Sequence, residues 1–592
     1  MSVTPLPNCV SSLTTKGPMS TLEAPHTDMP SHAPANPTAS GEARRTSRRT
    51  SAARSDRRIR RRVVIGRILG GIGDARIRLY LRGLLQSVAV QASTTRNAAI
   101  AGSVASVALV AIVASVPRSP FQPVLPGSAG PSGPFRWLAG LTGLDAVHGS
   151  ALVVVSVLTV ALAAAAFLAV LREAWRGTIS AGTVIGLAVA YHVVVLFLPL
   201  LFSRDVYSYA YYGKIAGVYH ANPYVVTPSD FPSDPLALYV GPRWVGTPAV
   251  YGPLFTLLSS GVARMFGSVT ALIAAFRVIA IVASLATIAI VARLVRRVRP
   301  EREAFAVAMI GLNPVVLFQS VASGHNDLLV ALSIAGALAL VFAGKELPAT
   351  AVLSLGALVK ATAAVPLLLL VVVVVARTEP GRRARALAAH LAVAAAIALL
   401  FALPFLQTSD PSLGMTELAK HQGWLAPSRF FGRVLDAMTG EALGIVSRVT
   451  FAAAFVLALF LIARALVRRA PSIPAEAEGA AWGWSLLFLM LLGPVLLPWY
   501  LAWTLPLAWL LPKVPRLTAV WIGTLLTVSQ WATEPTRYPR AYDANVLFGH
   551  YVLTPVVVVV LAWLAVDFVR RLRAGTPFEE EPDEIAASAR RR

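Results

Sequence analysis

The amino-acid sequence predicts an all-α fold, namely a polytopic bundle of transmembrane helices. The chain has 592 residues, of which 56% are apolar and only 14% are charged, too few charges to keep a soluble protein of this size in water. Apolar runs of about 17–25 residues recur along it, the length that crosses roughly 30 Å of hydrocarbon. Arginine clusters fall in the N-terminal tail and in short connectors, which is the positive-inside pattern. The net charge of +24 therefore indicates topology rather than nucleic-acid binding.

Residues 1–96 are predicted to be a disordered, basic cytoplasmic tail. Met1–Arg62 is rich in Ser, Thr, Pro, Ala and Arg and lacks hydrophobic periodicity. Arg61–Gln86 mixes apolar residues with arginines, so it is either an amphipathic helix at the membrane interface or a solvated basic linker. The first long apolar run begins near Asn97, too far along the chain for a cleavable signal peptide.

Residues 97–570 are predicted to form the transmembrane domain, followed by a polar cytoplasmic tail at 571–592. About fourteen spans, threaded so that the basic connectors stay inside, put both termini on the cytoplasmic side of the plasma membrane. Tyr251–Phe266 carries Arg264 and is expected to lie along or dip into the outer leaflet. The predicted spans are Ala98–Val116, Ser150–Leu171, Thr178–Phe202, Val269–Leu294, Ala304–Ala322, Leu328–Ala343, Ala349–Val359, Thr362–Ala376, Ala384–Pro404, Val446–Val467, Trp482–Leu497, Leu501–Leu511, Leu517–Trp531 and Phe548–Val569.

The first long outer loop begins with an acidic residue where a predicted span ends. Asp205 follows Ser203 and Arg204, and a carboxylate placed so near hydrocarbon is by default functional. Tyrosines follow it, and their rings and hydroxyls suit sugar substrates. An aromatic belt at the membrane interface is the alternative for several of them. These tyrosines are Tyr207, Tyr209, Tyr211, Tyr212, Tyr219 and Tyr224.

A second polar group lies between two predicted spans, again on the outer face. His325, Asn326 and Asp327 follow Gly324. Asp327 is equally well explained as a cap of the next helix, and both roles can hold together.

Lys360 is a lone cation between two short apolar segments. A hairpin of half-helices keeps the arginines that follow it in the cytoplasm and brings Lys360 to the outer boundary, where a lipid phosphate would lie. Trp499 and Tyr500 form a third outer turn, either a ligand platform or an aromatic anchor.

The outer loops gather cations, among them Arg243 in the first long loop and Arg429 in the second, and an anionic ligand on that face would explain them. Solubility of the loops is the competing explanation. The single cysteine, Cys9, excludes intrachain disulfides. The sequence contains no Walker loop, GxGxxG fingerprint, HExxH or GxSxG motif.

Taken together, these motifs resemble the C-type glycosyltransferase superfamily, and within it the bacterial polyprenol-phosphomannose-dependent alpha-1,6-mannosyltransferases. The resemblance covers roughly Ala98 to Val569 and rests on the order and common sidedness of the motifs. They are SRDVYSY (203–209), NPY (222–224), YGP (251–253), LNP (312–314), HND (325–327) and PWY (498–500).

The resemblance implies an inverting transfer of mannose from a polyprenyl-phosphate donor to a cell-envelope glycan or glycolipid. Asp205 would be the base, and Lys360 with Arg243 or Arg429 would bind the donor phosphate. Some members of the superfamily use a divalent metal ion, and metal dependence stays open here. The substrate-binding residues would be Arg204, Tyr207, Tyr209, Tyr224, His325, Asn326, Asp327, Trp499 and Tyr500.

Two other classes of protein remain as alternatives. A lipid-linked sugar flippase would carry its charges at the midplane and show an inverted repeat, and neither feature is evident. A non-catalytic envelope assembly protein would tolerate the loss of Asp205.

Overall fold

A computed structural model describes residues 75–125, 134–242, 244–408, 410, 412–423, 425–440, 442–533 and 535–580. The chain divides into two units, Met1–Val88 and Ala89–Arg592. Residues 1–74 of the predicted tail and residues 581–592 lie outside the described residues. Residues 75–96 are described and belong to the helix Ala75–Ser115. Because residues 61–74 of the predicted interfacial segment are not described, both alternatives for that segment stay predictions.

The described residues form α-helices joined by turns and short 3-10 or π segments, without a β-strand, so the all-α prediction is confirmed. In chain order the α-helices are α1 (Ala75–Ser115), α2 (Pro134–Leu141), α3 (Gly149–Trp175), α4 (Ala181–Leu196), α5 (Asp205–Gly217), α6 (Pro253–Met265), α7 (Val269–Val298), α8 (Glu303–Gly311), α9 (Asp327–Phe342), α10 (Glu346–Ala357), α11 (Ala364–Arg377), α12 (Arg383–Ala402), α13 (Pro427–Thr439), α14 (Gly444–Arg469), α15 (Ala475–Leu492), α16 (Lys513–Val528), α17 (Pro539–Phe548) and α18 (Thr554–Arg573).

Among the described residues, 7 helical segments are long and apolar enough to cross a membrane by length and composition. Shorter apolar helices at Ala181–Leu196, Asp327–Phe342 and Ala361–Arg377 add to them. A membrane protein is therefore supported, whereas the full set of about fourteen spans and the cytoplasmic termini stay predictions. The seven segments are Ser93–Ser115, Gly149–Trp175, Val269–Val298, Pro300–Val321, Pro380–Phe405, Gly444–Arg469 and Pro539–Arg573.

The predicted span Leu501–Leu511 is wrong as an α-helix. This stretch consists of two 3-10 helices, Pro498–Trp503 and Leu505–Leu507, followed by turns. Pro506 fixes its own backbone and lacks an N–H donor, which disfavours a continuous α-helix through this run. Residues 501–511 are buried in the protein, and so their apolar composition reflects the protein core.

Two close helix contacts position the loops that carry the predicted motifs. Helix α5 packs against α6 so tightly that a Cβ on Gly213 would lie 2.2 Å from the Ser259 carbonyl oxygen. Helix α6 begins at Pro253 after the YGP segment, and the Gly252 N–H donates to the Val359 carbonyl at 3.1 Å. The sequence therefore needs glycine where α5 and the YGP segment meet their neighbours.

The predicted pair of short helices around Lys360 is present. Helix α10 ends at Ala357 and α11 begins at Ala364, with Lys360 in the turn between them. The turn accepts the backbone N–H groups of Gly252 and Leu254, so it is fixed by the YGP segment.

Glu580, the last described residue, lies in a charged cluster with three arginines. The Glu580 carboxylate pairs with Arg302, with Arg299 at 2.7 Å and with Arg516 at 3.5 Å. The guanidinium groups of Arg302 and Arg516 also lie over the Trp175 ring, at 5.0 and 4.3 Å from its centroid. Arg302 is 3% and Arg516 4% exposed, so these charges are neutralised within the protein.

Candidate active site

Asp205 is the first residue of α5, held by the turn that precedes the helix. Its backbone N–H donates to Ser203 Oγ at 3.1 Å. Its side chain is 25% exposed, so the carboxylate remains accessible. Burial raises the pKa of Asp205 to about 6, although the Ser203 hydrogen bond and the charge of Lys360 lower it. A carboxyl group with this pKa is suited to accept a proton near neutral pH.

The turn at Gly324 brings His325 to Asp205. Gly324 has φ of +66°, a left-handed conformation that favours glycine. His325 Nδ1 lies 3.9 Å from Asp205 Oδ2 and 3.1 Å from the Tyr209 hydroxyl. The imidazole stacks on the Trp499 ring, with centroids 3.8 Å apart. Burial, with the charge of Lys360, holds the pKa of His325 well below its usual value, which keeps the ring neutral.

Lys360 is not a lone cation, and in this respect the sequence analysis is wrong. Its Nζ donates to Asp327 Oδ1 at 2.7 Å, and the same oxygen accepts the Trp503 Nε1–H at 2.7 Å. The ammonium also lies 4.4 Å from the centroid of the Tyr500 ring. Asp327 is the first residue of α9. Because its Oδ1 accepts hydrogen bonds from Lys360 and Trp503, which are distant in sequence, capping of α9 does not by itself explain the residue.

The HND motif carries several buried polar atoms without a hydrogen-bond partner among the described residues. They are His325 Nε2, both side-chain polar atoms of Asn326, and Asp327 Oδ2. Each of the three residues is at most 2% exposed. A buried polar group without a partner costs about 1–3 kcal/mol. Three consecutive residues with such atoms indicate a site where a polar ligand or water would supply the missing hydrogen bonds.

The interpretation of the tyrosines as a lipid-facing aromatic belt is wrong for most of them. Tyr207, Tyr209, Tyr211, Tyr212 and Tyr224 are each at most 6% exposed and lie inside the protein. Tyr224 donates from its hydroxyl to the Tyr251 carbonyl at 2.7 Å, which ties the NPY motif to YGP. Tyr209 is the tyrosine that contacts His325, while Tyr207 packs on Tyr239 with centroids 5.2 Å apart.

The PWY turn is also inside the protein rather than at a lipid interface. Trp499 and Tyr500 are each 6% exposed, so an aromatic anchor is the wrong interpretation. The Tyr500 ring stacks on the Trp503 ring, with centroids 4.3 Å apart. Tyr500 joins the cluster through its contact with Lys360, and Trp499 joins it through its contact with His325.

The predicted arginines do not join this cluster as a group. Arg204 precedes Asp205, and its guanidinium donates to the Val124 carbonyl. Arg429 donates to the Gln422 carbonyl at 3.4 Å and lines a separate cavity. Arg243 lies outside the described residues.

Arg277 was not predicted from the sequence, although it joins the backbone segments that precede Asp205 and His325. It is 5% exposed in α7 and donates to backbone carbonyls on both sides of the cluster. One partner, Ala322 at 2.9 Å, precedes the HND turn, and the others, including Leu196 and Pro199, precede Asp205. An arginine within a predicted apolar span was the signal that could have revealed it.

The residues of the cluster do not fit a metal centre. Among the described residues there is no group of three or more His, Cys, Asp or Glu side chains that could hold a metal ion. Asp205 and His325 offer two side chains, and Asp327, whose Oδ1 is engaged by Lys360 and Trp503, does not complete a group of three with them.

Comparison with known proteins agrees with these motifs. A family profile described as "Alpha-(1->6)-mannopyranosyltransferase, N-terminal domain" matches residues 100–377, which include Asp205, His325 and Lys360. The chain is 30% identical over 366 residues to alpha-(1->6)-mannopyranosyltransferase A of Mycobacterium tuberculosis, covering 59% of this chain and 68% of that protein. Another alpha-(1->6)-mannopyranosyltransferase of that organism is 28% identical over 138 residues, 23% of each chain. No solved structure matches the chain.

Proposed function

The chain belongs to the alpha-(1->6)-mannopyranosyltransferase family, and from this premise we propose that it moves mannose from a polyprenyl-phosphate carrier to a cell-envelope glycan or glycolipid. The protein is a mannosyltransferase. The proposal concerns its donor, its acceptor, the extracytoplasmic side of the reaction and the roles of its residues. The observation that carries it is the accessible carboxylate of Asp205 beside the HND turn and the Lys360–Asp327 pair.

Asp205 acts as the general base in this proposal. The 6-hydroxyl oxygen of the acceptor attacks C1 of the donor mannose while the C1–O bond to phosphate breaks. The electron pair of that bond leaves with the lipid phosphate, and the hydroxyl proton passes to Asp205. Attack opposite the leaving group converts a beta-linked donor into an alpha-linked product. The raised pKa of Asp205, about 6, leaves most of its carboxyl groups unprotonated at neutral pH.

Lys360 stabilises the departing phosphate. Its ammonium has three N–H donors, of which Asp327 Oδ1 accepts one, and its side chain is 12% exposed. Negative charge grows on the phosphate as the C1–O bond breaks, so a fixed cation stabilises the transition state more than the bound donor. Asp327, Trp503 and the Tyr500 ring hold the ammonium in place.

The HND and PWY residues bind the sugar that is transferred. His325 Nε2 and the Asn326 amide offer buried polar atoms without partners among the described residues, which match sugar hydroxyls. Trp499, on whose ring His325 stacks, provides an aromatic wall for the C–H face of a pyranose.

Membranes containing the protein, supplied with radiolabelled polyprenyl-phosphomannose and short alpha-1,6-linked mannose acceptors, test the proposal. Wild type should transfer label to the acceptor, and Asp205→Asn should be inserted at normal levels but lose about 10²–10⁴-fold in rate. If Asp205→Asn retained activity within about twofold of wild type, Asp205 would not be the base.

A further inference from the structure

A second cavity lies beside the candidate active site, and the catalytic roles proposed above do not use it. Its volume is about 450 Å³, within the range of ligand pockets. Parts of the chain distant in sequence line it: Trp244, the segment around His421 and Gln422, and residues from Gln530 to His550.

The cavity adjoins the proposed catalytic residues through the backbone. Phe202 lines it and precedes Asp205 by three positions, and Leu497 lines it and precedes Trp499 by two. Asp327 and Lys360 do not line it. The cavity is therefore distinct from the Lys360–Asp327 pair. Asp205 and Trp499 each follow a lining residue by only two or three positions in the sequence.

Two residues of the wall each carry a buried polar atom that lacks a hydrogen-bond partner among the described residues. Gln530 Oε1 is an acceptor and Gln422 Nε2 is a donor, and both are buried atoms. Gln530 is 8% exposed. An unpartnered acceptor and an unpartnered donor in one cavity match the hydroxyl group, which both donates and accepts.

The wall also offers aromatic surface. Trp244 meets the His421 ring edge-on at 5.9 Å, and Tyr542 lies elsewhere in the lining. An aromatic face with convergent polar groups is the combination that a sugar ring uses, because a pyranose has both C–H faces and hydroxyls.

We infer that this cavity binds the non-reducing end of the acceptor glycan and presents its terminal hydroxyl to Asp205. The inference rests on the proposed function and deepens it, because it gives the donor and the acceptor separate sites. The donor phosphate lies at Lys360, the acceptor lies between Trp244 and Gln530, and the reacting atoms meet at Asp205.

Gln530→Met is a sharp test, because the lost Oε1 atom has no hydrogen-bond partner among the described residues. The substitution preserves volume and removes an unsatisfied acceptor, so folding should not suffer. The acceptor KM should rise about fivefold to tenfold, because the loss of one hydrogen bond costs about 1 kcal/mol of binding free energy. The donor KM and the slow hydrolysis of donor by water should not change. Trp244→Ala should raise the acceptor KM about tenfold, whereas the matched control Trp137→Ala, at a tryptophan 68% exposed and outside the cavity, should not.

A binding experiment without donor separates this inference from the proposed function. A diazirine derivative of alpha-1,6-mannotriose should crosslink to residues around Trp244, Gln422 and Tyr542, and Gln530→Met should reduce that labelling. Crosslinks confined to other parts of the chain, with an unchanged acceptor KM in both cavity variants, would overturn the inference and leave the proposed function standing. Failure of wild type to use polyprenyl-phosphomannose would instead overturn the proposed donor, while the crosslinks would still report on the cavity.

Discussion

The ammonium of Lys360 and the carboxylate of Asp327 form an ion pair, with Nζ and Oδ1 2.7 Å apart, across 33 positions of sequence. The pair joins the turn between α10 and α11 to the first residue of α9. Asp327 is completely buried, so its charge depends on this partner and on Trp503. Removing one member of such a pair costs far more than replacing both.

We predict that Lys360→Gln raises the donor KM about tenfold and also lowers kcat, because a charge-assisted contact to the phosphate contributes about 1.5–3 kcal/mol. The acceptor KM should stay near the wild-type value. Steady-state kinetics with donor and acceptor varied separately measure this. Lys360→Arg should restore only part of the activity, since a planar fork replaces a point charge.

The double variant Lys360→Gln/Asp327→Asn controls for the ion pair itself. It leaves no unpaired buried carboxylate, so it should recover most of the stability lost in Lys360→Gln. If the double variant also recovered the wild-type donor KM, Lys360 would serve only to neutralise Asp327. The proposal that Lys360 binds the donor phosphate would then be wrong.

Activity should fall in acid because Asp205 must be unprotonated to accept the hydroxyl proton. The pKa of Asp205 is raised to about 6, so below that pH the protonated, inactive form accumulates. We expect kcat/KM to drop about tenfold for each further pH unit, measured at saturating acceptor. The residual activity of Asp205→Asn should lack this step. A wild-type profile that stayed level down to about pH 5 would contradict the assignment.

Gly252→Ala should impair donor binding through the backbone. A Cβ at this position would lie 2.1 Å from the Leu358 carbonyl oxygen, so the turn that carries Lys360 must move. We expect a loss of about 1–3 kcal/mol in stability and a higher donor KM, measured by thermal unfolding in detergent and by kinetics. Gly261→Ala in α6 is the matched control, since nothing lies within 4 Å of its added Cβ, and it should behave like wild type.

The predicted topology places Asp205, His325 and Lys360 on the extracytoplasmic face. After Cys9→Ser, single cysteines at the exposed positions Ser229 and Thr439 should react with an impermeant thiol reagent in cells stripped of their wall. A cysteine at the exposed Ser472 should react only after permeabilisation. The reverse labelling pattern would invert the topology and place the site in the cytoplasm.

Hydropathy predicted most helices, because length and apolar composition are local properties of a sequence. Val269–Leu294 corresponds to α7 and Val446–Val467 to α14. The same measure failed at Leu501–Leu511, since it does not distinguish a lipid-facing helix from an apolar stretch buried in the protein.

The candidate site was predicted as a set of motifs but not as a network. Asp205, His325 and Lys360 were each identified because a polar or charged side chain near hydrocarbon is energetically costly and is therefore usually functional. Their partners were not, because Lys360 meets Asp327 and Trp503 through tertiary packing that no local pattern encodes. The prediction of an aromatic belt or anchor was wrong because burial inside a helix bundle and exposure to lipid favour the same aromatic side chains.

Glu580 lies beyond the last helix of the described residues, yet its carboxylate pairs with the buried guanidinium groups of Arg302 and Arg516. A truncation just before Glu580 should resemble a core mutation, because two deeply buried guanidinium groups would lose this carboxylate. Cellular quality control would meet a destabilised protein although every catalytic candidate was intact. Affinity handles for purification should therefore leave Glu580 and its three arginine partners in place.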